Sequence, residues 1–179
     1  SVGTVVMAAF AAAVKIDSLA YMPVQDFGNA FSTFVAQNYG SGNRERIRKG
    51  VKSATVTSGI FCVVLSAVVC GLAKQLMGFF VDAGETQVIA VGVNYLRIEG
   101  ACYIGIGILF LLYGYFRAVN RPFISVVLTV LSLGTRVVLA YTLSAAPAIG
   151  VTGIWWFVPI GWALADVVGI IIVFKTFRV

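Results

Sequence analysis

Residues Gln37 to Gln75 read QNYGSGNRERIRKGVKSATVTSGIFCVVLSAVVCGLAKQ, and this stretch decides the fold. A Gly-Ser-Gly is followed by Arg44, Arg46, Arg48, Lys49 and Lys52, and then by an apolar run. That run holds roughly 20 residues, the length a helix needs to cross a hydrocarbon core of about 30 Å. Further along, the next basic breaks are Arg117 with Arg121, and Lys175 with Arg178. The breaks between them are acidic or neutral: Asp82 and Glu85 in one, no charge from Ala145 to Gly153 in the other. Such alternation is what a serpentine membrane protein shows under the positive-inside rule. The chain reads as all-α, a polytopic integral membrane helical bundle of the plasma (cytoplasmic) membrane, with the basic breaks and the C-terminus cytoplasmic.

Composition agrees. Of 179 residues 60% are hydrophobic and 11% charged, and the mean hydropathy is +0.97. That leaves too little polar surface for a water-soluble domain. The net charge of +6 is spread over membrane-flanking breaks, so lipid headgroups rather than nucleic acid are the expected partner. Cys62, Cys70 and Cys102 lie inside apolar runs without metal-site or disulfide spacing. There is no His, which removes the commonest general base and metal ligand, and no Walker loop is present. An enzyme is not expected, and neither is a bound metal or organic cofactor.

Apolar length places transmembrane helices at residues 19–39, 53–73, 91–116, 123–143 and 154–174. Residues 1–14 are apolar but too short to cross unaided, and read as a partial helix whose beginning is missing. Lys15 and Asp17 then mark an outer turn. Gly42 is expected to end a helix in a left-handed conformation, Asn43 to cap a short basic amphipathic turn, and Pro122 to open the next helix. Pro147 and Gly150 interrupt the last outer break.

Four ionisable residues remain deep in the apolar slab: Asp26, Glu99, Arg136 and Asp166. Each costs at least about 2.5 kcal/mol at a helix centre, so each requires protein or water around it and a partner. Asp26, Glu99 and Arg136 fall at similar depth and are expected to cluster, with Asp166 nearer the midplane. Helical spacing puts Asp26, Asn29, Thr33 and Gln37 on one face. Ser125, Thr129, Ser132 and Arg136 share another, and Trp155, Pro159, Trp162, Asp166 and Gly169 a third. Polar stripes on three helices suit a water-filled cavity, although Ser and Thr stripes also serve helix packing. Trp155 and Trp156 fit an aromatic belt at the outer boundary.

The segment Gly28–Gly50, with FSTFVAQNYGSGNRERIRKG, resembles the multidrug and toxin extrusion (MATE) family, in which a V-A-Q-x-x-G pattern precedes a basic cytoplasmic turn. Ala8-Ala9-Phe10 is similar to the alanine pair near the outer end of a lobe's first helix. Gly114-Tyr-Phe-Arg117 before Pro122 resembles the turn after the family's tenth helix. The resemblance implies the second six-helix lobe of a MATE-like transporter with its first helix truncated, the N-terminal lobe of the same polypeptide being a missing partner. It also implies export of cationic or amphipathic small molecules by alternating access, driven by Na⁺ or H⁺ antiport. Some members bind the cation through an Asp in the tenth helix. Here that position falls close to Ile106, which cannot ligate a cation, and Glu99 lies two turns outward.

Two other functions fit the same residues less well. A lipid-linked oligosaccharide flippase of the same superfamily needs a strongly cationic cavity, whereas Arg136 is the one deep basic residue. A non-transporting membrane scaffold subunit would tolerate neutral replacement of all four deep charges.

Overall fold

The structure, a computed structural model, describes residues 2–143 and 150–177. Those residues form six helices: α1 (Val2–Gly40), α2 (Arg44–Gly78), α3 (Thr86–Ala101), α4 (Tyr103–Ala118), α5 (Pro122–Leu143) and α6 (Gly150–Phe177). Pro147, expected in the last outer break, lies outside the described residues, as does Arg178.

Four helices are long and apolar enough to span a bilayer, and the bent pair α3–α4 is a fifth span when its two halves are taken together. Apolar side chains point outward along them, including Ile60 and Val64 on α2, Val137 and Val138 on α5, and Val167 and Ile171 on α6. In water such exposure marks an interface; here it is the surface that meets lipid. The chain is a multi-pass, all-α membrane protein.

The first hairpin follows its local chemistry. Gly42 takes φ +71°, the left-handed region that costs glycine nothing. The Asn43 amide donates to the Asn38 carbonyl at 2.9 Å. The Asn43 side chain accepts from the Arg46 amide at 3.0 Å and caps α2. Pro122 opens α5 where its missing N–H is no loss.

Three boundaries differ from the sequence reading. Residues 1–14 are not a separate partial helix: α1 runs without a break through Lys15 and Asp17, 39 residues or about 58 Å of helix. No outer turn exists there, and one helix of that length makes a single crossing. The stretch Val14–Leu19 contains no Gly, Pro or Asn to release the backbone, so two polar residues alone did not end the helix. The basic turn and the next span are likewise one helix, α2. Conversely the span expected at residues 91–116 breaks at Cys102, where α3 and α4 meet at 53°.

α4 is the centre of the bundle, packed by α1, α2, α5 and α6. Two close crossings depend on glycine. A Cβ at Gly114 would meet the Gly28 carbonyl oxygen at 2.5 Å, and one at Gly161 the Ser132 carbonyl oxygen at 2.6 Å. Backbone cannot retreat as a side-chain tip can, so these positions fix how closely α1 meets α4 and α5 meets α6.

The two ends of the bundle carry opposite charge. Lys15 and the first turns of α1 line a cleft with Phe80, Asp82 and Glu85. At the other end, Val51 beside Lys52 shares a groove with Phe174 beside Lys175. The acidic break and the basic breaks therefore lie at opposite ends, as the charge alternation requires.

Candidate functional site: a buried carboxyl pair at a helix elbow

The elbow at Cys102 places Glu99 in the last turn of α3 and Tyr103 in the first turn of α4. Both are almost fully buried, Glu99 at 1% and Tyr103 at 0% exposure. Opposite them α1 delivers Asp17, 4% exposed, whose carboxylate accepts a hydrogen bond from the Tyr103 hydroxyl. Glu99 and Asp17 are neighbours in this pocket, and Tyr95 stands beside Glu99 one turn earlier on α3. The Glu99 Oε1 atom has no hydrogen-bond partner.

Arg136 on α5 supplies the nearby positive charge and acts on both carboxyls. Its guanidinium sits 5.5 Å from the centre of the Trp162 ring, a cation–π arrangement. Its Nη2 lies 3.5 Å from the Ser132 hydroxyl, and its Nε is buried without a partner. Asp166 follows Trp162 by one turn of α6. It is 6% exposed, its Oδ1 lacks a partner, and its Oδ2 would lie 3.6 Å from a Cβ at Gly105.

Aromatic rings close the outer end of the cluster. Phe10 stacks on Trp155 at 5.6 Å, and Tyr95 meets both edge-on at 5.5 and 5.1 Å. Trp155 is thus buried, with an unpartnered Nε1, and does not belong to a lipid-facing belt. Trp156, 48% exposed, keeps that orientation.

Of the expected three-residue cluster, the fold brings Glu99 and Arg136 together and leaves Asp26 out. Asp26 is exposed on the far side of α1, so Asp17 replaces it. The α6 stripe from Trp155 to Gly169 is also buried, Trp155 against α1 and α3 and Gly169 against α4 and α5, rather than lining a cavity. Ser132 is buried at the α5–α6 contact.

A separate polar cleft of about 400 Å³ lies between α1 and α5 over α4. Asn29, Tyr113, Arg117, Ser125 and Thr129 line it. Arg117 Nη2 donates to Asn29 Oδ1 at 2.7 Å, and the Thr129 hydroxyl lies 3.1 Å from that of Tyr113. Thr33, whose hydroxyl lies 3.4 Å from the Asn29 carbonyl oxygen, and Gln37 continue the exposed face of α1 beyond it.

Sequence reasoning missed Asp17, Tyr95 and Tyr103. A signal for Asp17 was present: Ala13, Asp17, Val24, Gly28, Phe31 and Val35 recur at helical steps, and all are buried. The two tyrosines carried no such signal, because a tyrosine in an apolar run is unremarkable until a carboxyl is seen beside it.

A lobe of packed membrane-crossing helices, with a broken span beside buried carboxyls, is an arrangement shared with secondary transporters. The comparisons point to a family of membrane transporters. The MatE family model matches residues 1–142, and the chain belongs to that family. The probable multidrug resistance protein YpnP of Bacillus subtilis is 28% identical over 132 residues, 74% of this chain and 29% of that protein. The probable multidrug resistance protein NorM of Thermotoga maritima is 22% identical over 143 residues, 79% of this chain and 30% of that protein. The chain thus spans about 30% of the length of these curated relatives. A solved MOP superfamily transporter from Pyrococcus furiosus superposes with a TM-score of 0.85 at 19% identity, over 94% of this chain and 39% of that one. At that identity the likeness establishes the fold.

Proposed function

We propose that this chain forms the C-terminal lobe of a secondary active exporter of cationic or amphipathic compounds, and that Asp17 and Glu99 are its ion-coupling pair. The observation that carries the reading is the contact of two carboxyls from different helices in a closed, apolar surrounding. Two ionised carboxylates buried side by side repel, and each loses its hydration, so on this reading the pair shares a proton. Hydrogen bonding from Tyr103 and the charge of Arg136 support the form with one proton. The coupling ion on this reading is H⁺ rather than Na⁺, since two carboxyls can share a proton but no third acidic residue joins them, among the described residues, to complete a metal-ion site.

Release of the proton leaves two like charges facing each other across the α1–α3 contact, beside the α3–α4 elbow. An elbow is where a span can change angle while its two halves stay rigid. Proton exchange there biases the lobe between two arrangements, which is what alternating access needs. The basic breaks and the C-terminus face the cytoplasm, and the polar α1–α5 cleft faces the substrate path between this lobe and the N-terminal one. The flippase reading is less well supported: Arg117 is engaged with Asn29 and Arg136 with Trp162, so neither is a free phosphate clamp.

The test is efflux from proteoliposomes holding the full-length transporter, under imposed proton or Na⁺ gradients. Glu99→Gln and Asp17→Asn are each expected to abolish proton-driven efflux while substrate exchange without a gradient continues. Undiminished proton-driven efflux in both variants overturns the assignment. Drive by Na⁺ alone overturns the choice of ion.

A further inference from the structure

An apolar groove at the basic end of the bundle takes no part in ion coupling, and a role for it stands or falls independently of the exporter proposal. It lies between α2 and α6, over α4, and encloses about 360 Å³. Its walls are Val51 and Thr55 on α2 and Ile170, Val173 and Phe174 on α6, with Leu111 on the floor. Thr55 offers the groove no free donor, because its hydroxyl is spent on the Val51 carbonyl at 2.9 Å. The walls accept hydrocarbon and little else.

The mouth is different. Arg48, Val51, Lys52 and Thr55 stand at successive helical steps, so two cations continue the face that lines the groove. Glu45 takes up Lys49 at 2.7 Å. Arg48 and Lys52 stay exposed with no ion pair among the described residues. Lys175 follows Phe174 on the opposite wall and is also exposed. A dry slot for a chain, opening at a rim of cations, is complementary to a molecule with an apolar tail and an anionic head. Basic pockets between spanning helices recognise acidic headgroups in this way, and long Lys and Arg side chains reach the headgroup level from within a helix end.

We propose that the α2–α6 groove is a binding site for an anionic glycerophospholipid of the leaflet on the basic side, with one acyl chain in the groove and its phosphate held by Arg48, Lys52 and Lys175. A bound lipid would fill the gap between two helices that otherwise meet only through α4.

The experiment titrates the detergent-solubilised full-length transporter with phosphatidylglycerol or phosphatidylcholine of identical chains and counts bound lipids by native mass spectrometry. Phosphatidylglycerol is expected to bind more tightly, by about fivefold for each lysine engaged. The Arg48→Gln/Lys52→Gln/Lys175→Gln triple variant, altered only at exposed positions, is expected to lose that preference and to bind both lipids alike. Thr55→Phe, which fills the groove, is expected to weaken both lipids. Equal affinity for the two lipids in the wild type overturns the proposal, as does a preference that survives the triple variant. Lipid binding indifferent to Thr55→Phe overturns it too, since another segment of the polypeptide then occupies the groove.

Discussion

Asp17 and Asp26 stand nine residues apart on α1, which is about 14 Å along the axis and about half a turn around it. Asp17 is 4% exposed, accepts from Tyr103 and abuts Glu99. Asp26 is exposed, on a face shared with Asn29, Thr33 and Gln37. One helix thus carries one carboxyl into the lobe and another away from it. On the proposed function the inward face holds the proton-binding group. The outward face holds groups that can meet water, solute or the other lobe without disturbing the packing. Helical phase, not depth, separates the two roles.

The largest expected effect breaks or confirms that contrast directly. In proteoliposomes with the full-length transporter, Asp17→Asn should abolish gradient-driven efflux, whereas Asp26→Asn should retain it and alter substrate affinity. The opposite pattern would reverse the roles of the two faces.

Packing gives the next effect. Gly28 lies on the Asp17 face, and a Cβ there would meet the Phe110 carbonyl oxygen at 2.9 Å. Gly28→Leu should destabilise by about 1–3 kcal/mol or more, the usual scale of overpacking. Gly134→Leu on α5, where a Cβ meets nothing within 4 Å, should not. Thermal unfolding of the solubilised protein separates the two.

Tyr103→Phe sharpens the comparison from within the buried cluster. It removes one hydrogen bond to Asp17, worth about 0.6–2 kcal/mol inside a membrane protein. A small loss of thermal stability and slower proton-driven efflux are expected. Full retention of both would show that Asp17 does not depend on that donor.

The smallest effect is on the outward face. Thr33→Ala should change stability by less than about 0.5 kcal/mol, as exposed substitutions do, while changing the concentration dependence of substrate efflux. An efflux curve that stays fixed would place Thr33 against lipid.

Much of the fold was legible because each signal was local. The Gly42 and Asn43 hairpin and Pro122 at the start of α5 were all readable in order along the chain. Glu99, Arg136 and Asp166 were legible as deep charges because an ionisable residue in an apolar run stands out. Asp17 was misplaced for the same kind of reason. Together with Lys15 it looked like a turn, and only the unbroken helix showed that a short polar patch can continue through a buried face. The elbow at Cys102 was not foreseen, although Gly100, Gly105 and Gly107 crowd around it. Glycine permits a bend, but the neighbours that use the permission lie on α2 and α6.

By itself the sequence determined that the chain crosses a bilayer several times and that its basic hairpins share one end. Both follow from hydrophobic length and charge order, which are properties of each segment in turn. Only the tertiary structure decided that Asp17, not Asp26, meets Glu99, and that Trp155 caps the cluster instead of facing lipid. Those outcomes depend on the rotation of each helix about its own axis. That rotation is set by the close approach of α1 to α4 at Gly28 and Gly114, and no single helix encodes it.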